Sequence, residues 1–64
     1  MNDYTILVTA RNRALAAEPS AEQRMVYRLF QYAIDHHDNI AWYTMTITLN
    51  YARWYINQPH TGEG

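Results

Sequence analysis

Residues 39–56, NIAWYTMTITLNYARWYI, carry two periodicities at once. From Tyr43 to Tyr51 the chain alternates strictly. Tyr43, Met45, Ile47, Leu49 and Tyr51 stand on one parity, and Thr44, Thr46, Thr48 and Asn50 on the other, which is the period of a half-buried strand. Trp42, Met45, Leu49, Ala52 and Ile56 meanwhile follow the spacing of one helix face. Length decides between them. Asp38-Asn39 offers a turn and an N-cap, and the next proline is Pro59. The roughly 18 residues between, without Gly or Pro, are long for a strand and ordinary for a helix. A strand would also need a partner, and only residues 4–9 offer one. The segment is expected to be helical.

That choice has a physical cost. At about 100° per residue, Trp42, Met45, Leu49, Ala52 and Ile56 fall on one face. Ile40, Tyr43, Ile47, Tyr51 and Trp54 fall nearly opposite, leaving a narrow polar strip with Thr46, Asn50, Arg53 and Asn57. A helix that is apolar on two sides is buried on two sides. Two other short helices can cover only one of them. The second face is expected to meet another chain, most simply in a homodimer.

The middle segment is the clearest helix. Pro19-Ser20 stops one element and starts the next, and Ser20 with Gln23 forms an S-x-x-Q capping box. Glu22 suits the positive end of the helix dipole, and His36 and His37 the negative end. A helix from about residue 21 to 37 follows. Val26, Leu29, Phe30, Ala33 and Ile34 form its apolar stripe, with Met25 at the edge and Tyr27 and Tyr32 flanking. Arg24, Arg28, Gln31 and Asp35 lie on the polar side.

The first segment combines YTILV, of high β propensity, with the strongly helical ARNRALAAE. It is expected to be a helix capped by Asp3 or Asn2 and running to about residue 17, because the residue before Pro19 avoids the helical region. Tyr4, Leu7, Val8, Ala14 and Leu15 share one face of it, Arg11 interrupts that face, and Ile6 lies opposite. The expected architecture is an all-α, three-helix domain over residues 1–58. Its second and third helices pack as an antiparallel hairpin through the tight Asp38-Asn39 connection. Residues 59–64 form a tail expected to fray.

A 64-residue chain buries little surface, and such domains usually add disulfides, a metal or a partner chain. Cysteine is absent, which excludes disulfides and thiolate metal sites and leaves association or very good packing. Arginine occurs five times and lysine not at all, for a formal charge of −1. A general nucleic-acid or membrane-surface binder needs a basic excess, so neither partner is expected. The start, Met1-Asn2-Asp3, has no basic region of a signal peptide, and Ile6-Leu7-Val8 is too short for its apolar core. The expectation is a soluble cytoplasmic protein.

Candidate chemistry is sparse. His36-His37 stands between Asp35 and Asp38, but neighbouring helical residues point about 100° apart and cannot converge on one ion. Neither a metal nor another cofactor is expected there. The one serine serves as a cap, and there is no Cys or Lys to act as nucleophile. Both glycines lie in the tail, so no phosphate loop exists. Catalysis is not expected.

Tyr, Trp and Arg are the residue types enriched at interaction hot spots. Tyr43, Tyr51, Arg53, Trp54 and Tyr55 on the third segment make a candidate interaction surface. Arg24 and Arg28, spaced i and i+4, make a candidate polar face for phosphate or an acidic partner. If residues 4–13 were a strand, the order strand–helix–helix would resemble the ribbon-helix-helix DNA binders. A small dimeric DNA-binding protein of that or the helix-turn-helix type is the alternative function. The lack of basic charge, the helical run from Ala10 to Ala17 and the lack of glycine between the helices count against it.

In size, in the absence of Cys and Lys, and in its dense middle EPSAEQRMVYRLFQYAIDHHDNIAW, the chain resembles the small accessory proteins of temperate, lambda-like bacteriophages. The resemblance implies a non-enzymatic protein that binds a host or phage protein in the host cytoplasm. Such binding alters host growth, replication or the lytic–lysogenic balance. It carries no motif from which site residues transfer.

Overall fold

A computed structural model describes residues 2–58; the tail expected at 59–64 lies outside the described residues. Three helices follow in order: α1 Asp3–Ala16, α2 Ala21–Asp35 and α3 Trp42–Asn57. No strand occurs among the described residues, so the fold is all-α and the helical period prevails over residues 43–51. The threonines explain how. Thr46 Oγ1 donates to the Trp42 carbonyl at 2.9 Å, and Thr48 Oγ1 to the Thr44 carbonyl at 2.8 Å. A hydroxyl folded back onto the preceding turn needs no water. Thr48 is therefore buried within the core, its hydroxyl satisfied.

Both early helices are capped at their starts. Asn2 Oδ1 accepts from the Thr5 N–H at 2.8 Å, and Ser20 Oγ accepts from the Gln23 N–H at 3.0 Å. Only the serine half of the expected capping box forms, because the Gln23 Oε1 is turned to α3, where it accepts from the Tyr55 hydroxyl. α2 stops at Asp35, two residues short of the expected end, with the His36 N–H donating to the Tyr32 carbonyl. The Asn39 cap does not form. Its N–H closes a turn onto the His36 carbonyl at 2.8 Å, and α3 begins only after Ala41.

α1 packs against both other helices, while α2 and α3 meet least. α1 and α2 are antiparallel. The Tyr4 ring lies 5.8 Å from that of His37, and Arg11 Nη1 donates to Gln31 Oε1 at 3.1 Å. α2 and α3 also run in the antiparallel sense, with Gln23 meeting Tyr55 and Phe30 meeting Tyr51. The expected α2–α3 hairpin is thus the looser pair, and the closer one is α1–α2. Residues 36–41 replace the tight turn, with Ile40 half-buried against the core.

Each helix brings alanine to the centre: Ala10 and Ala14 on α1, Ala33 on α2 and Ala52 on α3 are all buried. Small side chains at the contact let helix axes approach closely. Phe30 and Leu7 are the largest side chains fully enclosed. The expected face of α1 needs correction. Ile6, Leu7, Ala10 and Ala14 are buried, whereas Tyr4 and Leu15 are exposed. Contact with two helices sets a buried sector centred on Ala10, and apolar residues nearly encircle α1, so its own pattern does not select that sector.

Candidate interaction surface

α3 divides much as its two-sided pattern predicts. Leu49 and Ala52 are buried, with Met45 and Ile56 half-buried beside them. Trp42, expected on this inner face, is 77% exposed. It is the first residue of α3 and stands edge-on to Tyr43, with ring centroids 5.7 Å apart. On the other side Tyr43, Ile47 and Trp54 are 57, 67 and 53% exposed. They share one stripe of α3, since residues four and eleven apart return to the same side at about 100° per residue.

A file of rings joins this stripe to the interior. Phe30, fully enclosed, stacks on Tyr51 at 5.7 Å, and half-buried Tyr51 stacks on Trp54 at 5.5 Å. The core thus holds Tyr51, and Tyr51 holds the exposed indole. Offset stacks of this kind add about 0.5–1.5 kcal/mol each beyond area burial, so the Trp54 ring is positioned rather than free.

One of the expected surface residues is buried, and another, exposed, lies on the side of α3 towards α1. Tyr55 is 6% exposed, its ring 5.6 Å from Phe30 and its hydroxyl donating to Gln23 Oε1 at 2.8 Å. It is a core residue that fastens the end of α3 to the start of α2. Its hydroxyl pKa is raised above the ordinary 10.0, first because burial disfavours the phenolate and then through Tyr51; Arg13 opposes the shift. The reason it left the surface is rotation: Tyr55 lies about 100° round the helix from Trp54, enough to turn it from solvent to α2.

Arg53 faces α1. Its guanidinium lies 3.8 Å from the Asp3 carboxylate and donates to Asn50 Oδ1 at 3.4 Å. That exposed ion pair contributes at most about 1 kcal/mol. Arg13 has the more specific role, its Nη1 donating to the Ile56 carbonyl at 2.9 Å. A cation is favourable at a helix C-terminus, where carbonyls lack partners within the helix.

Arg24 and Arg28 are both exposed on α2. Together with Ala14, Leu15, Ala17, Pro19, Gln23 and Tyr27 they line an open cleft where the end of α1 meets the start of α2. His36 and His37 are used at the end of α2. The His36 ring packs on Tyr32 at 4.3 Å, and His37 Nδ1 donates to the Ile34 carbonyl at 3.0 Å. Among the described residues no group of three or more His, Asp or Glu is placed to hold a metal ion.

The sequence pattern missed a second exposed apolar stripe. Met25, Leu29 and Tyr32 on α2 are 72, 41 and 55% exposed. Leu29 had been expected in the core stripe, but Val26, Phe30, Ala33 and Ile34 fill the buried sector. The available signal was the breadth of the apolar arc, wider than two neighbouring helices can cover.

No family model, curated protein or solved structure matches this chain. Among the described residues no helix is long and apolar enough to cross a membrane.

Proposed function

We propose that this chain is a non-enzymatic protein-binding module that works through the outer face of α3. The observation that carries it is the stripe of Tyr43, Ile47 and Trp54, left more than half exposed on a helix whose other side is buried in the core. Large apolar side chains presented in register by a rigid helix suit a groove on another protein. The chain also offers no cysteine or lysine nucleophile, and its single serine, Ser20, is engaged as a cap. The resemblance to phage accessory proteins supplies the kind of partner, a host or phage protein whose activity the binding modulates. A second copy of the chain is the simplest complement for the same face.

The alternative DNA-binding reading loses its ribbon form, because residues 4–13 lie in α1 rather than in a strand. Its helix-turn-helix form retains only Arg24 and Arg28, on a chain with a net charge of −1 that gives phosphate no general attraction. A DNA titration at several salt concentrations is expected to show no binding that weakens steeply with salt.

The direct test uses the tagged chain and its Ile47→Glu variant as baits in host lysate. A specific set of proteins is expected on the wild type and lost on the variant, with circular dichroism confirming equal helix content. Retention of the same proteins by both baits refutes α3 as the working surface.

A further inference from the structure

Three of the five arginines are held by the fold. Arg11 donates to Gln31 and Asn12, Arg13 to the Ile56 carbonyl, and Arg53 lies against Asp3 and Asn50. Arg24 and Arg28 differ. Their side chains make no hydrogen bond or ion pair among the described residues. They stand i and i+4 on α2, a spacing at which like charges repel and mildly destabilise a helix. Two unpaired cations side by side are relieved by an anionic partner and by little else.

The same two arginines line the open cleft between the end of α1 and the start of α2, about 340 Å³ in volume. Its apolar lining comes from Ala14, Leu15, Ala17 and Pro19, of which Leu15 is 60% exposed. Tyr27 lines it too. That side chain is half-buried, and its hydroxyl has no protein partner among the described residues, yet it is not a buried unsatisfied group. The hydroxyl therefore meets water and is free to bond an occupant. No Asp or Glu lines the cleft; Glu18 and Glu22, close in sequence, are not among its residues. Apolar surface, a free phenol and two unpaired cations thus adjoin one another. A small-molecule site buries about 70–90% of its ligand, which an open cleft does not. Nucleic acid offers phosphate but no aliphatic side chain for Leu15, and the chain's net charge of −1 does not attract it. A protein segment that is both acidic and apolar matches all three features.

We propose that this cleft is a second binding site, separate from the outer face of α3, and that it takes an acidic segment of a partner protein. An apolar side chain of the segment lies against Leu15, Ala17 and Pro19. Its carboxylates meet the Arg24 and Arg28 guanidiniums, whose planar forks suit a carboxylate. The Tyr27 hydroxyl donates to a carboxylate or carbonyl of the same segment. Charge complementarity selects the occupant, and the apolar lining places it in the cleft instead of anywhere along the polar side of α2.

An NMR titration of the isotope-labelled full chain with a short, end-blocked peptide of alternating Glu and Leu tests the assignment. The amide signals of Ala14, Ala17 and Tyr27 are expected to move together to saturation. Arg24→Gln and Arg28→Gln are each expected to raise the dissociation constant about two- to fivefold, the range for an exposed ion pair, and the double variant about tenfold. Arg53→Gln, the same change of charge on α3, is expected to leave it unchanged. A peptide of alternating Glu and Ser is expected to bind at least about fivefold more weakly, since it buries no aliphatic side chain. Circular dichroism checks that the variants, all at exposed positions, keep their helix content. A wild type unmoved at millimolar peptide overturns the proposal, as does equal binding by the double variant. Equal binding of the Glu–Ser peptide reduces the contact to surface charge and overturns the cleft. A DNA duplex that moves the same signals, and ceases to when both arginines are replaced, transfers the site to nucleic acid and overturns the acidic segment. Shifts confined to Tyr43, Ile47 and Trp54 also remove the cleft while leaving α3 as a working surface. The Ile47→Glu bait reports on α3 alone, so the two readings fail separately.

Discussion

Replacing Tyr55 by phenylalanine removes one oxygen and leaves the ring in place against Phe30, 5.6 Å away. No cavity opens, so the change isolates the hydroxyl and its bond to Gln23 Oε1. A net hydrogen bond contributes about 0.5–1.5 kcal/mol. Gln23 is half-buried and can turn its freed carbonyl towards water, which keeps the expected loss near 1 kcal/mol. In a domain of this size that lowers the midpoint of thermal unfolding by about 4–8 °C. Circular dichroism melts at fixed protein concentration measure it, and a double-mutant cycle with Gln23→Ala should return most of the loss as coupling.

The pH dependence has a definite sign. Burial holds the Tyr55 pKa above its ordinary 10.0 in the folded chain. Below 10.0 both states keep the proton, and the contribution of the neutral hydroxyl is fully present. As pH rises from 10.0 through the raised folded value, the unfolded chain releases the proton first, so stability falls. Tyr55→Phe has no such proton to lose. The stability difference between wild type and variant is therefore expected to narrow above pH 10. A difference that stays constant or widens refutes the buried role of this hydroxyl. A variant with unchanged melting but weakened self-association would return Tyr55 to the surface.

Four further substitutions probe separate parts of the fold and face. Leu49→Ala is expected to cost about 2–5 kcal/mol through transfer and cavity effects, much of the total stability of a chain this short, and to lower helix content in circular dichroism. Trp54→Ala, at a half-exposed position, is expected to leave the fold intact and to weaken binding, measured by sedimentation alongside urea unfolding. Ser20→Ala removes the oxygen that caps the Gln23 N–H and should cost about 1 kcal/mol in urea unfolding. Ala52→Leu places bulk at a fully buried position and should cost about 1–3 kcal/mol by the same measurement, whereas equal stability would show that the centre is not closely packed.

The sequence by itself determined the helices. Pro19 and Ser20 divide α1 from α2, the cap at Ser20 forms as its position requires, and α3 has enough uninterrupted length to override the alternation of its threonines. These are local matters of backbone dihedrals and nearby hydrogen bonds, decided within a few residues of the signal. The sequence also shows that α3 is apolar on two sides. Which side each residue of α1 and α2 presents was decided only in the assembled structure. α1 is apolar almost all round, so contact with both neighbours, and not its own pattern, buried Ile6 and left Leu15 outside. Leu29 and Tyr55 changed places with expectation for the same reason. A rotation of about 100° separates core from solvent, and packing against both neighbours decides which sector of each helix, with Ala10, Ala14, Ala33 and Ala52 among its buried residues, is turned inward. Periodicity marks which residues are able to be buried, and only the meeting of three helices selects which of them are.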